Sequence, residues 1–214
     1  MLKRRLRLAV LSMMVLLLAV PSLTFAQMKG PAVKPPSNVG LRQALRDLWI
    51  GHIFWVRNVV LTTKYGDKDA AKIAEDQVVQ NAKEIANSIA PYYGKEASDK
   101  LFTLLAGHYG TIKDYMNAAF ASNKDGMKAA SDKINKNAEE IATFLSSANP
   151  NWPKQTLLSA LAAHGAHHMA QIDAIQAKDF AGEAKVWGTM KTHIYTIADV
   201  LANGIAKQFG SKTK

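Results

Sequence analysis

Residues 41–208 repeat three times with a period of 56 and no gap, as blocks 41–96, 97–152 and 153–208. Leu45, Leu101 and Leu157 coincide, as do Gly51, Gly107 and Ala163, and directly after them His52, His108 and His164. Later in each block Asn81, Asn137 and His193 coincide. They are followed in step by Ile85, Ile141 and Ile197, then by Ala86, Ala142 and Ala198. Self-similarity at such a period means that one supersecondary unit recurs and buries its apolar face against its neighbours.

The unit reads as helix, turn, helix. In the first block Leu45, Leu48, His52, Val56 and Val59 are spaced by three or four and share one helix face. The matching stripes are Leu101, Leu104, His108, Ile112, Tyr115 and Leu157, Ala160, His164, His168, Ile172. The second helices carry Ala74, Val78, Asn81, Ile85, Ile89; then Ala130, Ile134, Asn137, Ile141, Leu145; then Val186, Met190, His193, Ile197, Leu201. Turns are expected at Gly66-Asp67, Ser122-Asn123 and Lys178-Asp179, where Asp and Asn favour turns and helix N-caps. Pro91 and Gly94, then Pro150 and Pro153, punctuate the joints between blocks. No segment alternates with period two, so the expected fold is all-α: a single helical bundle of about six helices over 41–209.

Within a block the aligned histidine and the later Asn or His lie about equally far from the turn. In an antiparallel hairpin rising about 1.5 Å per residue they therefore face each other at one height. The expected pairs are His52 with Asn81, His108 with Asn137, and His164 with His193, each inside an apolar stripe. A polar layer thus crosses the expected core.

The ends read differently. Lys3, Arg4, Arg5 and Arg7 precede an apolar run to about Val20, Pro21 breaks it, and Thr24-Phe25-Ala26 has the small residues of a cleavage site. Residues 1–26 are thus expected to be a secretory signal peptide, which places the mature protein in the periplasm or outside the cell with no membrane anchor after cleavage. Residues 27–40, rich in Pro and Gly, read as a leader, and 210–214 as a basic tail. Of the net charge of +10, four units lie in the signal segment, two in the leader and two in the tail. The bundle itself is left near +2, without the clustered basic face that nucleic-acid binding needs. With no cysteine, disulfides, thiolate metal sites and covalent haem attachment are excluded.

Two readings of the polar layer stand side by side. A buried imidazole satisfied by an amide can fix helix register and do nothing more, which suits the first two blocks. The third block carries more. His168 takes the Val56/Ile112 column one turn from His164, His167 lies beside it, His193 replaces Asn, and Met190 occupies the core column opposite His168. His164, His168 and His193 with Met190 form a candidate transition-metal set, and two facing imidazoles could instead clamp a haem. The remaining polar layer is His52, Asn81, His108, Asn137 and His167. The residues three before the aligned histidines are Trp49, Leu105, Leu161 and Met190, which removes the Glu-x-x-His pairs of carboxylate di-iron bundles. The core columns hold no Asp or Glu, which argues against calcium and magnesium and leaves copper, zinc or nickel.

Phosphate-binding loops, Gly-x-Ser-x-Gly and His-Glu-x-x-His are absent, so no enzyme is expected. Asp67-Lys68-Asp69 reads as a solvated turn, Trp49 and Trp55 as core packing, and Arg57 as a surface or interhelical charge.

Three strings together resemble a family of uncharacterised, exported bacterial all-helical proteins. They are Leu48-Trp49-x-x-His52-x-x-Trp55-x-Arg57, Asn137-Ala138-x-x-Ile141-Ala142-x-Phe144-Leu145-Ser146 with Asn149-Pro150-x-Trp152, and His193-Ile194 through Gly204-Ile205-x-x-Gln208-Phe209. The likeness implies an exported helical bundle in which His52, His108, His164 and His193 follow the family pattern, whereas His167 and His168 depart from it. Members sometimes carry the labels glycosyltransferase or acetylglutamate kinase, and this sequence holds no motif for either chemistry. The His-x-x-x-His of His164 and His168 also resembles that of metal-binding DinB-like bundles, whose four-helix arrangement differs from three hairpins.

Overall fold

The stripes become six helices: α1 (Asn38–Tyr65), α2 (Lys68–Asn87), α3 (Ala90–Phe120), α4 (Lys124–Ala148), α5 (Lys154–Gln176) and α6 (Phe180–Phe209). The computed structural model describes residues 38–210, and among them there is no strand. The expected signal peptide, most of the leader and the basic tail beyond Gly210 lie outside the described residues. α1 starts at Asn38, so the last three residues of the expected leader are helical. No helix among the described residues is long and apolar enough to cross a membrane.

The three hairpin turns use one device. Gly66, Ser122 and Lys178 each adopt a left-handed φ, of 87°, 55° and 59°. The next residue, Asp67, Asn123 or Asp179, caps the following helix by accepting the N–H of Ala70, Gly126 or Gly182. A left-handed conformation disfavours any residue with a Cβ by about 1–2 kcal/mol, and glycine escapes that cost. Lys178→Gly is therefore expected to stabilise the protein by about 0.5–1 kcal/mol, after allowing for glycine's larger unfolded-state entropy. A denaturant midpoint that falls instead would show that the Lys178 side chain contributes more than its backbone costs.

The joints between hairpins are built otherwise. Pro91 sits in the first turn of α3, and Gly94 (φ 85°, ψ 171°) breaks that turn from the rest of the helix. Between α4 and α5 the segment Asn149–Pro153 tucks Trp152 into the core at 1 % exposure, its indole N–H donating to the Val200 carbonyl. A methyl group on Gly204 would overlap that indole. Asn149 donates to the Tyr93 hydroxyl, Tyr93 donates to Gln208, and Gln208 donates to the Ala148 carbonyl. The Asn-Pro-x-Trp and Gly-Ile-x-x-Gln-Phe strings thus meet as a latch that closes one end of the bundle.

Sequential helices pack as neighbours, and α6 returns against α1 to complete a ring. α5 also touches α1 and α3 through the interior. Arg46 grips Asp199 through two hydrogen bonds and Arg57 grips Glu183 likewise, so α1 and α6 run antiparallel. Of the thirty stripe residues, only Leu48, Ala160, Val186 and His193 are half-buried and none is exposed.

The core has two apolar parts. One gathers residues such as Leu45, Trp49, Leu101, Ile141, Leu157 and Ile197, and the other Val56, Val78, Ile112, Ile134 and Ile172. Along α1, α3 and α5 the boundary between them falls where the aligned histidines stand.

Candidate metal centre

Each odd-numbered helix brings one histidine to that boundary, and α5 brings a second one turn later. His52, His108, His164 and His168 are 5 %, 5 %, 1 % and 1 % exposed. Each offers a ring nitrogen, and these four atoms all lie within 4.8 Å of one another. Every pair of the four rings is in contact. Opposite edges of the array measure 4.4 and 6.4 Å, 5.5 and 6.1 Å, and 5.5 and 5.7 Å between centroids. In a square, two opposite edges would be diagonals, each about 1.4 times the side. Here no such set stands out, so the rings are arranged as a tetrahedron.

The hydrogen bonds around His108 assign its tautomer. Asn137 donates from Nδ2 to the Leu104 carbonyl at 3.1 Å, which turns its Oδ1 toward His108 Nδ1, 3.1 Å away. A carbonyl oxygen only accepts, so Nδ1 carries the proton and Nε2 is a bare lone pair. That Nε2 is buried without a partner. The first hairpin is similar but unfinished: Asn81 donates to the Leu48 carbonyl at 2.9 Å, while Asn81 Oδ1 and His52 Nε2 are both buried and unpaired. Gly51 and Gly107 leave room for these amides, since a Cβ would stand 3.0 Å and 3.5 Å from the respective Nδ2. In the third hairpin His164 Nε2 and His168 Nε2 approach to 3.1 Å, and the Nδ1 of each ring is buried and unpaired.

Burial holds all four rings neutral. It pushes His52 down to about 3, aided by the neighbouring His108, and His108 to about 4 despite the hydrogen bond from its ring to Asn137. His164 and His168 are driven well below the ordinary histidine value by burial and then by the surrounding imidazoles. Neutral imidazole is the form that ligates metals.

The sequence-derived residues separate. Of the candidate set His164, His168, His193 and Met190, the structure brings the first two into the cluster. His193 is half-buried, and its Nε2 donates to the Ala160 carbonyl at 2.8 Å. That contact occupies the place of the Asn81–Leu48 and Asn137–Leu104 bonds, and it removes His193 from the central four. Met190 is fully buried in the larger apolar cluster. His167 does not join the core layer; it is half-buried, with its ring 5.2 Å from that of His193. Of the three expected pairs, His108–Asn137 is hydrogen-bonded, whereas His52–Asn81 and His164–His193 are not. His52 and His108 enter the central cluster because α1, α3 and α5 converge, a relation between hairpins that reasoning within one hairpin does not reach.

Trp49 packs edge-on against His52 and His164, at 5.9 and 6.3 Å, and roofs the cluster on one side. Among the described residues, four further polar residues, Ser98, Asn149, Gln171 and Glu183, are buried in the core. Glu183 is 4 % exposed and accepts from Arg57 at 2.6 and 2.8 Å and from Gln171 Nε2 at 2.9 Å. Gln171 lies three residues beyond His168, and its Oε1 is buried and unpaired. Glu183 lies three residues before Val186, the first residue of the α6 stripe, so it shares that face, and its charge rather than its spacing sets it apart from the apolar pattern. Asp67, by contrast, is the solvated cap expected of a turn.

No family model matches the chain, and neither a curated protein nor a solved structure is found to be similar to it.

Proposed function

We propose that this is an exported, non-enzymatic bundle that holds a transition-metal ion on His52, His108, His164 and His168. One observation carries the reading: four buried, neutral imidazoles present ring nitrogens within 4.8 Å of each other, and each ring keeps one buried nitrogen without a partner. A buried polar atom without a partner costs about 1–3 kcal/mol, so a layer that served only to fix register would be expected to satisfy its own atoms. Asn137 already does this for one nitrogen of His108 and leaves the other bare. That is the outer-shell arrangement that orients a metal-ligating histidine. Closing the equivalent bond from His52 to Asn81 would complete a second such pair.

Geometry narrows the ion. Imidazole–zinc bonds of about 2.0–2.1 Å imply nitrogens about 3.3 Å apart at a tetrahedral centre. His164 and His168 already stand at 3.1 Å, and the remaining nitrogens need to draw in by side-chain rotation. A tetrahedral array of neutral nitrogens suits zinc or cuprous copper better than the square coordination of nickel or cupric copper. Four protein ligands leave no open position, as in structural rather than catalytic sites. Haem fits poorly, because mutually touching rings leave no slot for a macrocycle and the apolar cavity beyond Trp49 measures only about 30 Å³. The recurrence of turn, cap and carbonyl contact at 56-residue steps supports the reading of three copies of one hairpin.

Zinc added to untagged, metal-free protein at a hundred times its Kd is expected to stabilise it by about 2.7 kcal/mol. For a domain of this size that raises Tm by roughly 5–10 °C. A His164→Leu, His168→Leu variant should fold and show no rise. If zinc, copper and chelators all leave the wild-type Tm unchanged, the layer only sets register.

A further inference from the structure

The third hairpin has three more imidazoles than its register needs, and the proposed centre uses only His168 of them. The other two, His167 on α5 and His193 on α6, meet at the surface with ring centroids 5.2 Å apart, within the range spanned by the four central rings. Both are half-buried, whereas Asn81 and Asn137, the counterparts of His193, are 6 % and 7 % exposed. Three of the four half-buried stripe positions, Ala160, Val186 and His193, also belong to this hairpin. The α5–α6 seam is therefore where the core is least sealed. His193 Nε2 is committed to the Ala160 carbonyl, so in the neutral ring Nδ1 is a lone pair that makes no hydrogen bond. His167 makes none through either nitrogen. Along the chain His167 adjoins His168, and across the hairpin His193 occupies the column facing His164.

We infer that His167 and His193 form a second, weaker transition-metal site, the entry port through which an ion reaches the buried centre. This rests on the metal reading of that centre and adds the route. A hydrated divalent cation exchanges water for one imidazole nitrogen on each helix. It then trades these for the nitrogens of His164 and His168 as it moves inward. Only dative bonds form and break, and no electron is transferred. Two ligands bind loosely and four bind tightly, so the ion runs downhill toward the core.

The test is stopped-flow uptake of zinc from a chromophoric chelator by the full metal-free chain. It compares wild type with His167→Thr, His193→Asn, in which Thr copies Thr111 and Asn copies Asn81 and Asn137. The variant should thus keep the contact to the Ala160 carbonyl and the fold, as an unchanged metal-free melt would show. The single His167→Thr variant leaves the His193 bond untouched and serves as a second probe. Expected are one ion held against the chelator and an equilibrium Tm rise equal to wild type, with loading slowed at least tenfold in the double variant and by less in the single. Equal loading rates overturn the port. A loss of the tightly held ion also overturns it, by making the pair part of the buried centre itself. No uptake by wild type overturns the metal reading and the port together.

Discussion

Lowering the pH of the metal-free protein from 7 to 4 is expected to unfold it in one steep, cooperative step. His52 and His108 are held at about 3 and about 4, and His164 and His168 well below the ordinary value of 6.5. Below 6.5 the unfolded chain takes up protons that the folded one refuses. Stability is then complete above that value and falls as the pH drops through it, until the folded-state values are reached. Each histidine contributes a slope of about 1.4 kcal/mol per pH unit, and four together on the order of 5 kcal/mol per unit. Against a typical net stability of about 5–15 kcal/mol, one to three pH units suffice. Circular dichroism at graded pH should place the transition between about pH 5.5 and 4. The His164→Leu, His168→Leu variant should lose about half the slope. Bound zinc should move the transition to lower pH, because the ion competes with protons for the same nitrogens. A stability that stays flat from pH 7 to 5 would mean that the four rings are not buried together as neutral groups.

Arg57→Met is expected to destabilise the protein by about 3 kcal/mol at pH 7. Glu183 is nearly sealed from solvent, and Arg57 supplies its countercharge through two hydrogen bonds, holding its carboxyl below the usual glutamate range. Removing one partner of a buried pair leaves an uncompensated charge, at a cost of about 3–5 kcal/mol. The low end applies because the Arg57 side chain is 34 % exposed and the pair is partly screened. Adding Glu183→Leu should recover most of the loss, since two apolar groups of similar volume replace the pair at little cost. A double variant as unstable as the single one would show that Gln171, which also donates to Glu183, depends on that carboxylate for its own placement.

How far the sequence reaches can be judged residue by residue. Gly66, Ser122 and Lys178 mark the hairpin turns, and the side chains that follow them cap the next helices as their chemistry requires. His108 and Asn137 pair as the spacing along one hairpin predicts. The Asn-Pro-x-Trp and Gly-Ile-x-x-Gln-Phe strings stand out in the sequence, yet their meeting at Trp152 and Gly204 depends on α6 returning to the α4–α5 joint. Glu183 continues the α6 stripe by spacing but carries a charge, and the countercharge that accompanies it in the core, Arg57, comes from α1.

The candidate site divides along the same line. The sequence by itself determined six amphipathic helices, the three tight turns, and the set of histidines on or beside the apolar stripes. These follow from periodicity along a helix and from equal distances across a short turn. Only the tertiary structure decided which histidines meet. Closure of α6 on α1 draws α1, α3 and α5 together, so His52, His108, His164 and His168 converge from three hairpins, while His193 turns to the Ala160 carbonyl and His167 stays at the seam. The physical reason is the range of the information. A helical period reports neighbours a few residues apart, whereas the contact between His52 and His168 is made by the closing of the whole ring.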